Sequence, residues 1–123
     1  MGIVKYFFDN YAIIELIKGN PNYAKFIQEE VTLTIFNLAE IYFSALYYIS
    51  EEAAEEIYEK YRENVVEISD EELKEAMKFR KENMKKRLSY TNCIGYIYAK
   101  KNNLIFLTGD REFQGMENVE FIK

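Results

Sequence analysis

Two rhythms of apolar and polar residues alternate along this chain. Ile3 to Phe8 is a short apolar run ending at Asp9, which predicts a strand. Tyr11 to Lys18 places Ile13, Ile14 and Ile17 at helical spacing before "GNPN" interrupts, and Pro21 can open a short helix through Gln28. "VTLTI", Val31 to Ile35, alternates as a strand does. From Asn37 to Ile49 the residues Leu38, Ile41, Ala45, Tyr48 and Ile49 mark a helix, with Phe43 and Leu46 widening its stripe. A Glu-rich helix follows from Glu51 to about Asn64, with Ala54, Ile57, Tyr58 and Tyr61 inward. "VVEI", Val65 to Ile68, is a further strand.

Ser69 then starts "SDEE", a capping box closed by Glu72, and the helix behind it carries Leu73, Ala76, Met77, Arg80 and Met84 along one side. Leu88 to Thr91 resets the chain, and Ser89 or Thr91 can cap a helix running to about Lys101. "LIFL", Leu104 to Leu107, is wholly apolar, as a central parallel strand covered on both faces would be. "VEFIK" closes with a last short strand. Strands alternating with helices predict one three-layer α/β/α domain over residues 1–123, with a mostly parallel sheet of about 4–5 strands.

Composition narrows the chemistry. With 123 residues, 49% apolar, one Pro and five Gly, the chain is neither disordered nor fibrous, and it can bury a core. No apolar run reaches the roughly 18 residues that span a membrane. The opening "MGIVKYFF" lacks a small-residue cleavage site, and Tyr6 stands where a myristoylation signal wants Ser or Thr. The expected location is the cytoplasm. One cysteine, Cys93, excludes an internal disulfide and a Cys-rich zinc site. The absence of histidine excludes His-activated nucleophiles and imidazole-ligated metals. Catalysis, if present, falls to carboxylates, Lys, Tyr, backbone groups or a hard cation on oxygen ligands.

The net charge of −5 is unevenly spread. Glu51 to Glu63 holds six Glu against Lys60 and Arg62, while Lys74 to Arg87 holds seven Lys or Arg against Glu75 and Glu82. Solvated helix faces account for both runs, but the basic one can also meet a polyanion. Lys85, Lys86 and Arg87 end that basic run and are candidates for steering such a ligand. Tyr42, Phe43 and Tyr47 leave the inward stripe of their helix, which suits either burial of both faces in a thin layer or a homodimer or partner-peptide face.

In an open parallel sheet, sites form at the carboxyl ends of strands. Asp9 and Asp110 both fall just past apolar runs, after "IVKYFF" and "LIFLTG". Glu40 is the lone charge in the helix from Asn37 to Ile49, so it needs a partner, a metal or exposure. Each acid has a plain alternative: Asp9 and Asp110 can cap the turns behind them, and Glu40 can face solvent. Asn10 and Thr108 flank the strand-end acids, where they can bond a phosphate oxygen or an acid, or simply shape a turn. Three converging carboxylates would raise one another's pKa unless a divalent ion compensated them, and oxygen-only ligation favours Mg²⁺ or Mn²⁺.

In this order the residues carry a resemblance. "YFFDNYAIIELIKGN" resembles the start of a PIN domain, "TIFNLAEIYFSAL" its second motif, and "LSYTNCIGYIYAKKNNLIFLTGDREF" its C-terminal motif. Chain length is similar to that of the VapC-type toxin branch. The resemblance implies a ribonuclease using Mg²⁺ or Mn²⁺, with Asp9, Glu40 and Asp110 as ligands, and with Glu112 matching a further acid that some members use. It also implies an antitoxin partner and a homodimer. Asn92 departs from the pattern, standing where the family usually has another Asp. Its carbonyl can coordinate a hard cation but brings no charge and cannot act as a base. Drift offset by Glu112, a nuclease that has lost its chemistry, and a change made to silence the enzyme all produce this sequence. The alternative functions are a catalytically degenerate PIN-fold module that binds RNA or protein, and an acidic interaction module whose strand-end acids are only caps.

Overall fold

β1, Tyr6–Phe8, carries two consecutive phenylalanines, and a strand sends consecutive side chains to opposite faces. Phe7 and Phe8 are both fully buried, so both faces of β1 are covered. The computed structural model describes residues 3–123. In it β4, Ile105–Thr108, lies parallel to β1 with Phe7 beside Phe106 and Phe8 beside Leu107. β5, Val119–Phe121, continues the sheet on the far side of β4, also parallel. A second parallel pair joins β2, Leu33–Thr34, to β3, Val65–Val66. The Phe8 N–H donates to the Thr32 carbonyl at 2.9 Å and brings this pair alongside β1, giving the spatial order β3-β2-β1-β4-β5. "LIFL" is central, as its apolar run predicted.

Helices cover the sheet on both sides. On one face Phe8 and Leu107 meet Ala12 and Ile13 of α1 (Asn10–Lys18), Leu38 and Ile41 of α2 (Ile35–Tyr48) and Tyr61 of α3 (Glu51–Arg62). On the other, Phe7 and Phe106 meet Ala76 of α4 (Asp70–Glu82) and Cys93, Ile94, Tyr96 and Ile97 of α5 (Tyr90–Lys101). The result is the three-layer α/β/α arrangement that the alternation predicted, with every strand pair parallel among the described residues.

Local chemistry shifts several boundaries. The strand expected over Val31 to Ile35 is only Leu33–Thr34, because Thr34 caps α2 and Ile35 already belongs to the helix. The cap is reciprocal: Thr34 N–H donates to Asn37 Oδ1 at 2.9 Å, and Asn37 N–H donates to Thr34 Oγ1 at 3.3 Å. The helix expected after Pro21 is a 3₁₀ turn, Pro21–Phe26. Ser69 and Glu72 form the expected capping box, but α4 stops at Glu82 and leaves Met84 exposed rather than on its inward side. Ser89, rather than Thr91, caps α5, with Asn92 as its reciprocal partner.

α5 passes close to β1 at Gly95. A Cβ there would stand 2.6 Å from Phe7 Cε1 and 3.0 Å from Cζ, and the Phe7 ring is fully buried. Alanine in a helix interior ordinarily stabilises by up to about 1 kcal/mol relative to glycine. Here overpacking reverses the sign, and Gly95→Ala is predicted to lower stability by about 1–3 kcal/mol, read from the urea unfolding midpoint. A midpoint raised by the substitution would show that Phe7 can yield.

Candidate active site

Asp9 lies at the carboxyl end of β1, where its backbone N–H still donates to Leu107 of β4 at 3.0 Å. This last ladder bond draws the carboxylate inside, leaving Asp9 2% exposed. Although Asp9 occupies the N-cap position of α1, its side chain makes no cap hydrogen bond, so the plain capping explanation does not account for it. Its oxygens face other strands and helices instead. Thr108 Oγ1 donates to Oδ2 at 2.7 Å, and Asn92 Nδ2 donates to Oδ1 at 3.1 Å.

The other acids join the same sheet edge through polar neighbours. Thr108 Oγ1 accepts from the Asp110 N–H at 3.0 Å, so one hydroxyl bridges Asp9 to the Asp110 backbone. The Asp110 side chain does cap, accepting the Glu112 N–H at 3.0 Å over the 3₁₀ turn Arg111–Phe113. Gly109 permits this tight path, since a Cβ there would stand 2.1 Å from Tyr11 Cε1. Glu40 is exposed, and it accepts from Asn10 Nδ2 at 3.2 Å and from the Thr91 hydroxyl. Asn10 is oriented in turn by Asn37 Nδ2 at 2.9 Å. Asp9 and Asp110 thus share the Thr108 hydroxyl, while Glu40 is joined to them only along the chain, its partners Asn10 and Thr91 being the neighbours of Asp9 and Asn92.

Thr91 and Asn37 were not singled out as site residues from sequence. For Asn37 the signal available is the cap itself: Thr34–Asn37 at the start of α2, like Ser89–Asn92 at the start of α5, is a reciprocal capping pair, and Asn37 then reaches Asn10. Thr91 shows no comparable signal, because its contact with Glu40 spans 51 positions of chain. Thr108 is fully buried and bonds an acid, while Asn10 bonds Glu40, so both flanking residues orient carboxylates here.

Glu112 faces elsewhere. Its Oε1 accepts from the Arg87 N–H at 3.2 Å, and its carbonyl accepts from Lys86 Nζ at 3.0 Å. It therefore latches the connector between α4 and α5 onto the turn behind Asp110. Lys85, Lys86 and Arg87 are exposed on that connector. Asn92 serves two neighbours at once: its Oδ1 accepts the Ser89 N–H at 3.1 Å, and its Nδ2 faces Asp9.

Among the described residues, no three Asp, Glu, Cys or His side chains form a ready-made metal cluster. The donor set is nevertheless of the hard-cation kind: carboxylate oxygens, with no nitrogen or sulfur ligand. Burial pushes the Asp9 carboxyl up from 3.8 to about 6, against the Thr108, Asn10 and Asn92 hydrogen bonds that pull it down, and the Asp110 charge adds to the rise. The protein's own donors therefore leave this anion short of compensation, which is the property a divalent ion would relieve.

The raised value has a defined sign. An acid whose folded pKa exceeds its unfolded one contributes stability below about pH 4, and that contribution is lost as pH rises through about 6. The ionised carboxylate then weakens the fold by roughly 3 kcal/mol. Asp9→Asn removes this cost but forfeits about 1 kcal/mol at the Asn92 contact, where two amide NH₂ groups would meet. In the presence of a chelator, Asp9→Asn is predicted to be about 1–2 kcal/mol more stable than the unsubstituted protein at pH 7.5, with the difference vanishing or reversing at pH 4. Urea unfolding of both proteins at the two pH values checks it, and a pH-independent difference would refute it.

The sequence matches the PIN domain family over residues 6–119. No functionally curated protein matches it. Three solved structures share its fold. A toxin–antitoxin complex from Klebsiella pneumoniae contains a chain 18% identical, with a TM-score of 0.74, covering 94% of this chain and 96% of its own. VapBC2 from Rickettsia felis, bound to a DNA fragment from its promoter, is 11% identical with a TM-score of 0.72, covering 98% and 100%. DNA-bound VapBC from Salmonella typhimurium is 12% identical with a TM-score of 0.69, covering 97% of each chain. Matched from the first strand to the last, this chain belongs to the PIN domain family.

Proposed function

We propose that this chain is a VapC-type ribonuclease, cutting RNA with Mg²⁺ or Mn²⁺, and that it is the toxin of a toxin–antitoxin pair. The observation that carries the reading is Asp9: a buried, under-compensated carboxylate at the sheet edge, linked through Thr108 to Asp110, with its chain neighbour Asn10 bonded to Glu40. Asp9, Glu40 and Asp110 would hold the cation, while Asn92 and Glu112, expected as auxiliaries, orient Asp9 and latch the connector instead. When bound, such an ion lowers the pKa of a coordinated water and offsets the negative charge of the scissile phosphate. The chain's own residues do the positioning. Thr108 and Asn92 fix the plane of the Asp9 carboxylate, Asn10 and Thr91 hold the Glu40 carboxylate in place, and Glu112 keeps Lys86 and Arg87 beside the turn behind Asp110.

Asn92 lowers the charge of the set by one relative to the family pattern. Its carbonyl is also engaged by the Ser89 amide, so the group facing Asp9 is a donor rather than a ligand. These two facts support weak cation binding and slow cleavage by this sequence. They also give substance to the second reading, a degenerate PIN-fold module that binds RNA or a protein without cutting. In Mn²⁺-supported cleavage of single-stranded RNA, Asn92→Asp is predicted to be fastest, the unsubstituted protein slower, and Asp9→Asn inert despite its greater stability. Thermal unfolding gives a readout independent of cleavage: Asn92→Asp should melt lower than the unsubstituted protein in a chelator and gain more from Mn²⁺. Equal cleavage by all three proteins would sink the metal-nuclease reading, and a Mn²⁺ shift unaffected by the substitution would remove the role given to the missing charge.

The partner reading rests on α2. Phe43 is 64% exposed and Tyr47 71%, and Tyr47 packs edge-on against Tyr48, which lines an apolar groove of about 410 Å³ together with Ile14, Ile17, Ile41, Ala45 and Ile57. Tyr42, expected to share this face, turns instead onto Tyr58 of α3, with ring centroids 5.5 Å apart, and bonds Glu55. Solved relatives of this fold occur in toxin–antitoxin complexes, which favours protein partners here: a second copy of the chain and an antitoxin. Phe43→Glu with Tyr47→Glu is predicted to convert a dimer into a monomer by light scattering at micromolar concentration; an unchanged mass would place any dimer contact elsewhere.

A further inference from the structure

The α4–α5 connector ends in an arrangement that neither the fold nor the acid network requires. Tyr90, the first residue of α5, is 60% exposed. One face of its ring is covered by the Arg80 guanidinium, 4.2 Å from the ring centroid, while Arg80 Nε donates to the Leu88 carbonyl at 3.1 Å. The ring is therefore held in place by a cation from the preceding helix while most of its surface stays open. The two residues after Tyr90 are the ones that touch acids: Thr91 bonds Glu40, and Asn92 bonds Asp9. Tyr90 and Asn92 Cα atoms can be no more than about 8 Å apart, two peptide units. Lys81, Lys85 and Arg87 are exposed nearby and form no ion pair among the described residues.

We propose that Tyr90, backed by Arg80, is a stacking platform for one unpaired RNA base next to the phosphate at the acid cluster, with Lys85 and Arg87 contacting flanking phosphates. The proposal rests on the ribonuclease reading and sharpens it: the substrate is a single strand or loop, because a paired base is not free to stack on a side chain. Stacking supplies affinity that is insensitive to salt, whereas the lysine and arginine contacts release counterions and fade as salt rises. Stacking on an exposed ring also tolerates base identity, so the platform selects for unpairedness ahead of sequence. The Arg80 guanidinium adds a cation on the far face of the ring, which polarises the ring and restrains its rotamer before RNA arrives.

Binding, rather than cleavage, tests this. Fluorescence anisotropy would follow a labelled oligoribonucleotide of about 12 nucleotides in a chelator, so that turnover does not intervene. The comparison set is the same strand with an abasic position at each central site in turn, and the same sequence as a duplex. Tyr90→Ala is expected to weaken strand binding about 5- to 100-fold with the salt slope unchanged, and Tyr90→Phe to bind as the unsubstituted protein does. Lys85→Ala with Arg87→Ala should flatten the salt slope instead. One abasic strand should reproduce the Tyr90→Ala loss on the unsubstituted protein, a result that no folding defect can mimic. Tyr90→Ala binding at full strength, the duplex binding as well as the strand, or no abasic strand showing a loss would each overturn the platform while leaving RNA binding intact. No strand binding by either the unsubstituted protein or Asn92→Asp, in the chelator and again with Mn²⁺ added, would overturn the ribonuclease reading, and the platform with it.

Discussion

A carboxylate removed from water at the end of β1 is the constraint around which this molecule is arranged. Asp9 cannot retreat to solvent, because its own backbone N–H is the last rung of the β1–β4 ladder and its side chain follows the strand inward. Its oxygens must be met by donors, and these come from distant parts of the chain: Thr108 at the end of β4 and Asn92 in the first turn of α5. The same two elements build the core beside it, since β4 also supplies Phe106, which with Phe7 packs against α5. Core packing and site assembly are therefore one process, and a shift of α5 against the sheet would disturb both.

That coupling explains which parts of the molecule were legible in sequence. The runs "YFF" and "LIFL" announce strands covered on two faces, and the acids behind them fall at the sheet edge because parallel strands end together. Ser69 with Glu72 was readable as a cap for the same local reason. The misjudged boundaries have local causes too. Thr34 looks like a strand residue by β-branching, yet its hydroxyl and the Asn37 amide close a box that starts α2 two residues earlier than apolar periodicity suggests. What sequence could not announce is the pairing of side chains far apart in the chain. Nothing local marks Thr91 as the partner of Glu40, or Glu112 as the partner of the Arg87 amide rather than of the acids. Exposure was equally hidden: Tyr48 and Ile49 continue the helical stripe of Ile41 and Ala45, but α2 runs past the cover that α1 and α3 provide.

Charge is segregated in a way that composition conceals. The chain is acidic overall, and α3 carries most of the excess, on the opposite side of the sheet from the basic run Lys74 to Arg87, which spans the later part of α4 and its connector. The latch at Glu112, made through the Arg87 amide and the Glu112 carbonyl, holds cationic residues against the turn that presents Asp110.

The double attachment of Asn92 has a consequence for how this sequence can change. Its oxygen closes the α5 cap, a role that a carboxylate fills equally well, while its nitrogen answers Asp9, a role that only an amide fills. The architecture of α5 is thus indifferent to the one atom that sets the electrostatic character of the cleft. A lineage carrying this scaffold can exchange oxygen for nitrogen at that position, in either direction, without re-solving the folding problem.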